Sequence, residues 1–219
     1  MMQLIDKSLA GGRWLASSVL SASLLVAAPA GATIISGSVT TAGASFVKLT
    51  VPLSGSTPGN TVGQDNFNSP NLFGFDERQN TALTANLTPD VGSSLLSGTT
   101  VASHYVFFDP VNGSVKGTVN FDADILAILT SSGTLSSTDY LGNPGVTYLN
   151  PGLRGLEAGD SVIISGLRQI TIDLAASTPG DYVRVLTAFS PGAVPEPGSL
   201  ALVGLALAGL AVSARRRKA

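Results

Sequence analysis

The feature that most constrains this chain is an uncharged apolar run close to its C-terminus. Residues 199–214 contain no charged side chain, and residues 200–212 consist entirely of Leu, Ala, Val and Gly. An α-helix rises about 1.5 Å per residue, so the uncharged run would reach about 24 Å, close to the thickness of the hydrocarbon core of a bilayer. The sequence therefore predicts a transmembrane helix at residues 199–214.

A basic cluster directly after this run predicts its orientation. The cluster consists of Arg215, Arg216, Arg217 and Lys218. Positive charges next to a membrane span are held on the cytoplasmic side. We therefore predict that residues 215–219 form a basic cytoplasmic end and that the chain before the run lies outside the membrane.

A short proline-containing motif precedes the apolar run. It consists of Val194, Pro195, Glu196 and Pro197, within a tether that we place at residues 190–198. Proline cannot continue a helix backwards, because its ring clashes with the preceding turn and it lacks an N–H group. We expect the motif to be extended and accessible above the membrane, in a form that a processing enzyme can bind.

The motif, the apolar helix and the Arg-rich end, in this order, resemble the PEP-CTERM sorting signal of bacterial exported proteins. The resemblance implies processing by a membrane-embedded exosortase, transient membrane anchoring, and delivery to the cell surface or extracellular matrix. Removal of the tail would leave no membrane span, as with other C-terminal signals. The alternative is an ordinary anchor, in which Gly204, Ala208 and Gly209 pack against another helix.

The other end of the sequence also predicts export. Lys7 and Arg13 precede a moderately apolar stretch, residues 14–28, and small residues follow it. This is the pattern of a signal peptide of the general secretion machinery, cleaved after Ala30 or, as we favour, after Ala32. We assign residues 1–32 to this signal peptide. A permanent N-terminal membrane helix is the alternative, disfavoured by the serines in the stretch.

Residues 33–193 remain between the two signals and are long enough for one domain with its own core. They contain six basic and twelve acidic residues, a net charge of −6. Because nucleic-acid binding needs a basic surface, we exclude that class of partner. The chain has no cysteine. An exported domain without disulfides must take its stability from core packing.

Short β-branched runs bounded by turn residues predict an all-β fold. They lie at residues 34–40, 46–51, 101–108, 114–121, 125–130, 161–165, 167–174 and 181–188. Several alternate between apolar and polar side chains, which is typical of half-buried strands. We predict that residues 33–189 form a single jelly-roll-like β-sandwich ectodomain. The turn at residues 109–113 predicts a hairpin that pairs 105–108 with 114–118.

Two loop-rich stretches interrupt the strand pattern. Residues 53–70 form a polar segment that is longer than a simple connection in a compact domain, so we expect it to be functional or mobile. Residues 131–160 form the second stretch, in which residues 137–141 favour one helical turn. The sequences at residues 101–110 and 179–185 also resemble ectodomains of other PEP-CTERM proteins, which implies a shared exported domain with no known activity.

The residue inventory argues against an enzyme. His104 is the only histidine, and no Gly-x-Ser-x-Gly motif accompanies it as in many serine hydrolases. We interpret it as a packed or partly exposed strand residue, because it lies in the alternating run of residues 101–108. Zinc would ordinarily need more than one His or Cys ligand. A secreted glycan hydrolase is the less favoured alternative, since two carboxylates suffice for that reaction but no pair stands out.

Asn120, Asp122 and Asp124 are the candidate ligands for a metal ion. They occupy alternate positions, so a continuous strand would place them on one face, within reach of a hard cation such as calcium. The alternative, which we favour, is a solvated strand face, since calcium sites usually place carboxylates on loops. We expect no cofactor, with calcium at these residues as the one candidate.

Two functions remain open for the ectodomain. The favoured one is a non-catalytic structural or adhesive role at the cell surface or in the extracellular matrix. The alternative is binding of exopolysaccharide, with aromatic rings available for stacking on sugars. These are Tyr105, Tyr140, Tyr148 and Tyr182, with Phe67, Phe73 and Phe75 in the loop of residues 65–75. We expect most of these rings to lie in the core.

Overall fold

A computed structural model of the protein describes residues 31–189. The predicted sorting motif, transmembrane helix and basic end lie outside the described residues, as do residues 1–30 of the predicted signal peptide. Within residues 31–189, none of the helices has the length and apolar character needed to span a membrane.

The described chain consists mainly of β-strands. They are β1 (Ile34–Val39), β2 (Phe46–Lys48), β3 (Thr61–Val62), β4 (Leu72–Asp76), β5 (Thr81–Ala82), β6 (Val91–Gly92), β7 (Thr100–Phe108), β8 (Asn112–Phe121), β9 (Ile125–Leu129), β10 (Thr147–Tyr148), β11 (Ser161–Gly166), β12 (Gln169–Ser177) and β13 (Asp181–Ala188). One α-helix, α1 (Ser132–Ser137), and one turn of 3-10 helix (Asp139–Leu141) lie between β9 and β10. The predicted all-β class is confirmed.

Two sheets pack face to face, so the predicted β-sandwich is confirmed. The smaller sheet has the strand order β1-β8-β12-β11, and the larger has the order β2-β4-β7-β13-β9-β6, with β5 also paired to β7. The connections β7–β8, β8–β9 and β12–β13 cross between the sheets, as they do in a jelly roll. The antiparallel pair β11–β12, in contrast, is a hairpin within the smaller sheet.

The predicted hairpin between residues 105–108 and 114–118 is wrong. β7 pairs with β4, β5 and β13, whereas β8 pairs with β1 and β12. The turn after β7 therefore carries the chain from one sheet to the other. Phe108 and Val115 still meet in the same apolar core. The alternating pattern is the same for a hairpin and for such a crossing, so the sequence did not distinguish them.

The sequence pattern predicts a loop at residues 65–75, whereas Leu72–Asp76 form strand β4. It lies between β2, to which it is parallel, and β7, to which it is antiparallel. Leu72 and Phe75 are fully buried on opposite faces of the larger sheet. A short strand covered on both faces shows no polar alternation, and this is why the period-2 pattern did not reveal it.

The larger sheet carries an apolar core on each face. The inter-sheet core, which includes Val106, Val119 and Ile170, lies between the two sheets. The cap core, which includes Phe107 and Leu135, lies between the opposite face of the larger sheet and the loop-rich segments. Strands β7 and β13 are consequently buried along almost their whole length.

The two loop-rich stretches together form a cap over the larger sheet. Their buried side chains in the cap core are Leu53, Val62, Leu135, Leu141 and Val146. Parallel pairing of β3 with β10 joins the two stretches to each other. Residues 53–70 therefore have a packing role that the sequence analysis did not predict.

We predict that Gly117→Ala destabilises the sandwich. Gly117 lies on β8, where a Cβ atom would come within 2.3 Å of the backbone oxygen of Ser38 on β1. The backbone cannot yield without disturbing the β1–β8 ladder, so we expect the free energy of unfolding to fall by about 1–3 kcal/mol. Urea unfolding of the purified protein measures this change.

Gly133→Ala provides the matched control. Gly133 lies in α1, and nothing comes within 4 Å of the position of its Cβ atom. Alanine favours helix over glycine, so this variant should be neutral or more stable by up to about 1 kcal/mol. Equal destabilisation by the two changes would contradict the close approach of β1 and β8.

Candidate functional site

A buried ion pair lies between the larger sheet and the cap. The side chains of Arg184 on β13 and Glu77, just after β4, are both fully buried. Arg184 donates from Nε to Glu77 Oε2 at 2.7 Å and from Nη2 to Oε1 at 2.9 Å. The hydroxyl groups of Ser103 and Tyr148 donate to the same carboxylate. This two-point geometry matches the planar guanidinium to the carboxylate.

Arg184 also binds the cap directly. Its Nη1 donates to the backbone oxygen of Leu135 and to Thr138 Oγ1, each at 2.8 Å. The Tyr105 ring centre lies 5.3 Å from its guanidinium carbon. Burial disfavours the charged guanidinium, but the neighbouring Glu77 outweighs burial and raises the pKa of Arg184, which stays charged.

A second arginine extends this ion pair into a cluster. Arg154 is fully buried and donates from Nη1 and Nη2 to the two carboxylate oxygens of Asp139, at 2.9 and 2.6 Å. Arg184 Nη2 also lies 3.3 Å from Asp139 Oδ1. We call Arg184, Glu77, Arg154 and Asp139 the buried charge cluster; three of its side chains are fully buried, and that of Asp139 is 32% exposed. Two cations and two anions balance its charge, which is the condition for keeping ions in an apolar core.

His104 lies on β7 and is fully buried. Its Nδ1 is 2.8 Å from Asp76 Oδ1, and its Nε2 is 3.1 Å from Thr187 Oγ1. A hydroxyl, an imidazole and a carboxylate thus follow one another in the order of a hydrolase triad. Thr187 is fully buried as well. These hydrogen bonds link β4, β7 and β13, and they do not present the hydroxyl to solvent.

Asp76 anchors the beginning of the ectodomain. Its carboxylate accepts hydrogen bonds from Thr33 Oγ1 at 2.7 Å and from the N–H of Ile34 at 2.9 Å, and it pairs with Lys48 at 2.8 Å. Burial disfavours the charged carboxylate, but His104 and Lys48 outweigh burial and hold the pKa of Asp76 well below its usual range. The first strand is therefore attached to the larger sheet through a charged group.

The three residues predicted for calcium do not share a continuous strand. β8 ends at Phe121, so only Asn120 of the three lies on it. Each side chain binds a different protein group: Asn120 binds Ser36 and Gln169, Asp122 accepts from the N–H of Thr33, and Asp124 pairs with Arg168. In the part of the chain that the structure describes, no three His, Cys, Asp or Glu side chains are grouped as metal ligands. Calcium binding at these residues stays a prediction.

Most of the aromatic rings considered for sugar stacking lie in the core. Tyr105, Tyr182 and Phe75 are fully buried, and Phe73 is 6% exposed. Tyr182 donates its hydroxyl to backbone oxygens of Gln64 and Pro179, and the Tyr148 hydroxyl is bound to Glu77. Phe67 is partly buried against the cap core. The buried rings are unavailable for stacking on a polysaccharide, and Phe67 and Tyr148 are only partly exposed.

Tyr140 is the exception, with 36% of its surface exposed. It borders a cleft of about 130 Å³ between residues 84–87 and the end of α1, whose polar lining includes Thr84, Asn86 and Ser137. The Tyr140 hydroxyl accepts a hydrogen bond from the N–H of Thr84 at 3.3 Å. The ring is thus held in place while one part of it faces solvent.

We predict that Arg184→Met lowers the free energy of unfolding by about 3–5 kcal/mol, because Glu77 would stay buried without its cation. Arg184→Met combined with Glu77→Gln should recover part of this loss, since the pair then leaves no isolated buried charge. Guanidinium chloride unfolding of the single and double variants measures both effects.

Lys116→Met is the control for this prediction. It removes an ion pair with Asp173 in which the two side chains are 63% and 47% exposed. Exposed pairs contribute little, so the loss should stay below about 1 kcal/mol. If Lys116→Met lowered the free energy of unfolding as much as Arg184→Met, burial would not explain why the charge cluster stabilises the fold.

Comparison with known proteins identifies the C-terminal segment. Residues 193–218 match the family described as PEP-CTERM protein-sorting motif. The match contains the predicted proline motif, the apolar run and the basic cluster, which lie outside the residues that the structure describes. No curated protein and no solved structure matches the chain. The chain thus carries a PEP-CTERM sorting motif in its C-terminal segment, and this motif implies export and sorting by an exosortase.

Proposed function

We propose that this protein is a non-catalytic structural component of the cell surface or extracellular matrix. The sorting motif at residues 193–218 is the observation that carries the proposal, because it directs an exported protein to an exosortase. Processing would remove the apolar tail near residues 194–197 and leave the β-sandwich as the mature protein. The membrane is then a partner only during sorting.

The use of polar side chains inside the ectodomain supports a non-catalytic role. Glu77 and Arg184 bind each other, and Asp139 binds Arg154, all at the junction of the larger sheet and the cap. His104, the one histidine, is fully buried. Groups that could move protons in an enzyme thus hold strands and cap together in this fold.

Removal of the tail is the first prediction of this proposal. The intact mass of the protein recovered from the cell surface or medium should correspond to a C-terminus near residues 193–197. Pro195→Ala combined with Pro197→Ala would let the helix extend backwards and remove the extended motif. This variant should keep its full tail and stay in the membrane fraction.

Pro191→Ala is the matched control, since it removes a proline just before residues 193–218. It should be processed like the wild type. Cells that lack the exosortase should retain the full tail on every version of the protein. A full-length tail in all fractions of normal cells would identify an ordinary membrane anchor and refute the processing step.

Exopolysaccharide binding at the Tyr140 cleft is a second candidate function. The exposed part of the ring offers an apolar surface, and the hydroxyl and amide groups of Thr84, Asn86 and Ser137 surround it. Sites for small polar ligands typically combine such features. The residues that line the cleft include no Asp or Glu. Since glycan hydrolysis ordinarily uses two carboxylates, the cleft favours binding over the hydrolase alternative.

We expect Tyr140→Ala to weaken retardation of the protein in gels that contain the exopolysaccharide of the producing cells. Loss of an aromatic contact of about 1 kcal/mol would make the affinity about fivefold weaker. Phe189→Ala is the control, because Phe189 is 46% exposed and does not line the cleft. If the wild-type protein is not retarded, the binding function is refuted and only the structural role remains. Release of reducing sugar from the exopolysaccharide would favour the hydrolase alternative.

A further inference from the structure

Asp109, directly after β7, is a fully buried carboxylate. Its Oδ2 accepts hydrogen bonds from the N–H groups of Asn66 at 2.9 Å and Phe67 at 3.1 Å. Its Oδ1 is buried and has no hydrogen-bond partner among the residues that the structure describes. Buried polar atoms are almost always satisfied in native proteins, so this oxygen calls for a partner such as an ion.

Asp65 carries a second carboxylate in the same part of the fold. The N–H of the next residue, Asn66, donates to Asp109, so the backbone of Asp65 lies close to Asp109, and the charges of the two side chains act on each other. Asp65 Oδ1 is also buried without a hydrogen-bond partner in residues 31–189. Burial raises the pKa of Asp109 to about 6, and the charge of Asp65 adds to this rise, while the N–H groups of Phe67 and Asn66 and the nearby Tyr182 hydroxyl lower the pKa.

No basic side chain within residues 31–189 forms a salt bridge with either carboxylate. The salt bridges of the described chain instead join Lys48 and His104 to Asp76, Lys116 to Asp173, Arg154 to Asp139, Arg168 to Asp124, and Arg184 to Glu77 and Asp139. Two adjacent acidic groups, one of them fully buried, are therefore left without a protein cation to balance their charge.

We propose that Asp65 and Asp109 bind one calcium ion through their unpartnered Oδ1 atoms. Two carboxylates balance the charge of a divalent cation, and calcium takes oxygen ligands in flexible geometry. Among the described residues no third acidic or histidine side chain joins them as a ligand, so water would supply the remaining oxygens. The ion would attach this part of the cap to the end of β7. The site differs from the predicted one at Asn120, Asp122 and Asp124.

Calcium titration of the processed protein, recovered from the producing cells and stripped with EDTA, tests this proposal. Differential scanning calorimetry should show a Tm that rises with CaCl2, and isothermal titration calorimetry should give one ion per chain. Extracellular calcium modules bind with Kd on the order of 0.1–1 mM, and we expect this range here. A wild-type Tm that does not respond to 10 mM CaCl2, on the order of ten times such a Kd, would overturn the proposal.

Asp109→Asn and Asp65→Asn are the diagnostic variants. The amide oxygen that Asp109→Asn introduces can still accept the N–H groups of Asn66 and Phe67, so the fold should persist. Each variant should bind calcium at least tenfold more weakly and lose the calcium-dependent rise in Tm. If Asp109→Asn fails to fold, Asp65→Asn alone decides, since Asp65 makes no side-chain hydrogen bond to the described chain that the change would remove.

Asp181→Asn is the matched control. Asp181 is only 3% exposed and also has a buried carboxylate oxygen without a partner among the described residues. Burial, together with Asp160 and Glu157, raises its pKa to about 7, and neither Asp65 nor Asp109 contributes. This variant should keep the wild-type calcium response. A response that survives Asp109→Asn and disappears in Asp122→Asn would assign the ion to the other site and overturn the proposal.

Discussion

The ion pair between Arg184 and Glu77 is the interaction on which the arrangement of the ectodomain depends. A charge can stay in an apolar core only when it is paired and hydrogen-bonded. Both members of this pair come from the larger sheet, Glu77 directly after its strand β4, and the cap supplies further hydrogen-bond partners. Arg184 belongs to the larger sheet, yet it binds Leu135 and Thr138 of the cap. Lifting the cap would break these hydrogen bonds of Arg184 and expose the cap core to water. The larger sheet is therefore covered on both faces.

This architecture suits an exported protein without disulfides. The chain has no cysteine, so its cohesion must come from packing and from polar contacts made inside the fold. The buried charge cluster joins sheet to cap, and the Asp76 contacts join the first strand to the larger sheet. A calcium ion at Asp65 and Asp109 would add a third such connection, at the end of β7.

Local sequence patterns predicted the strands whose side chains alternate between apolar and polar. They did not predict which strands pair or which strands are covered on both faces, because these features depend on contacts between distant segments. Strands such as β8 and β13 were recognised from β-branched runs, whereas β4 was missed because it is covered on both faces. The hairpin after β7 was wrong because the same turn residues serve a crossing between sheets. The alternation of Asn120, Asp122 and Asp124 likewise predicted one continuous strand, whereas β8 ends at Phe121.

The sequence by itself determined the all-β class, most strand positions, the absence of disulfides and the C-terminal sorting signal. Each depends on residue type and spacing within one short stretch. Only the tertiary structure decided that two polar, loop-rich stretches form a cap, that Tyr140 keeps an exposed ring, and that Asp65 lies beside Asp109. These features depend on contacts between residues far apart in sequence, where burial and pairing of charge, rather than local propensity, set the outcome.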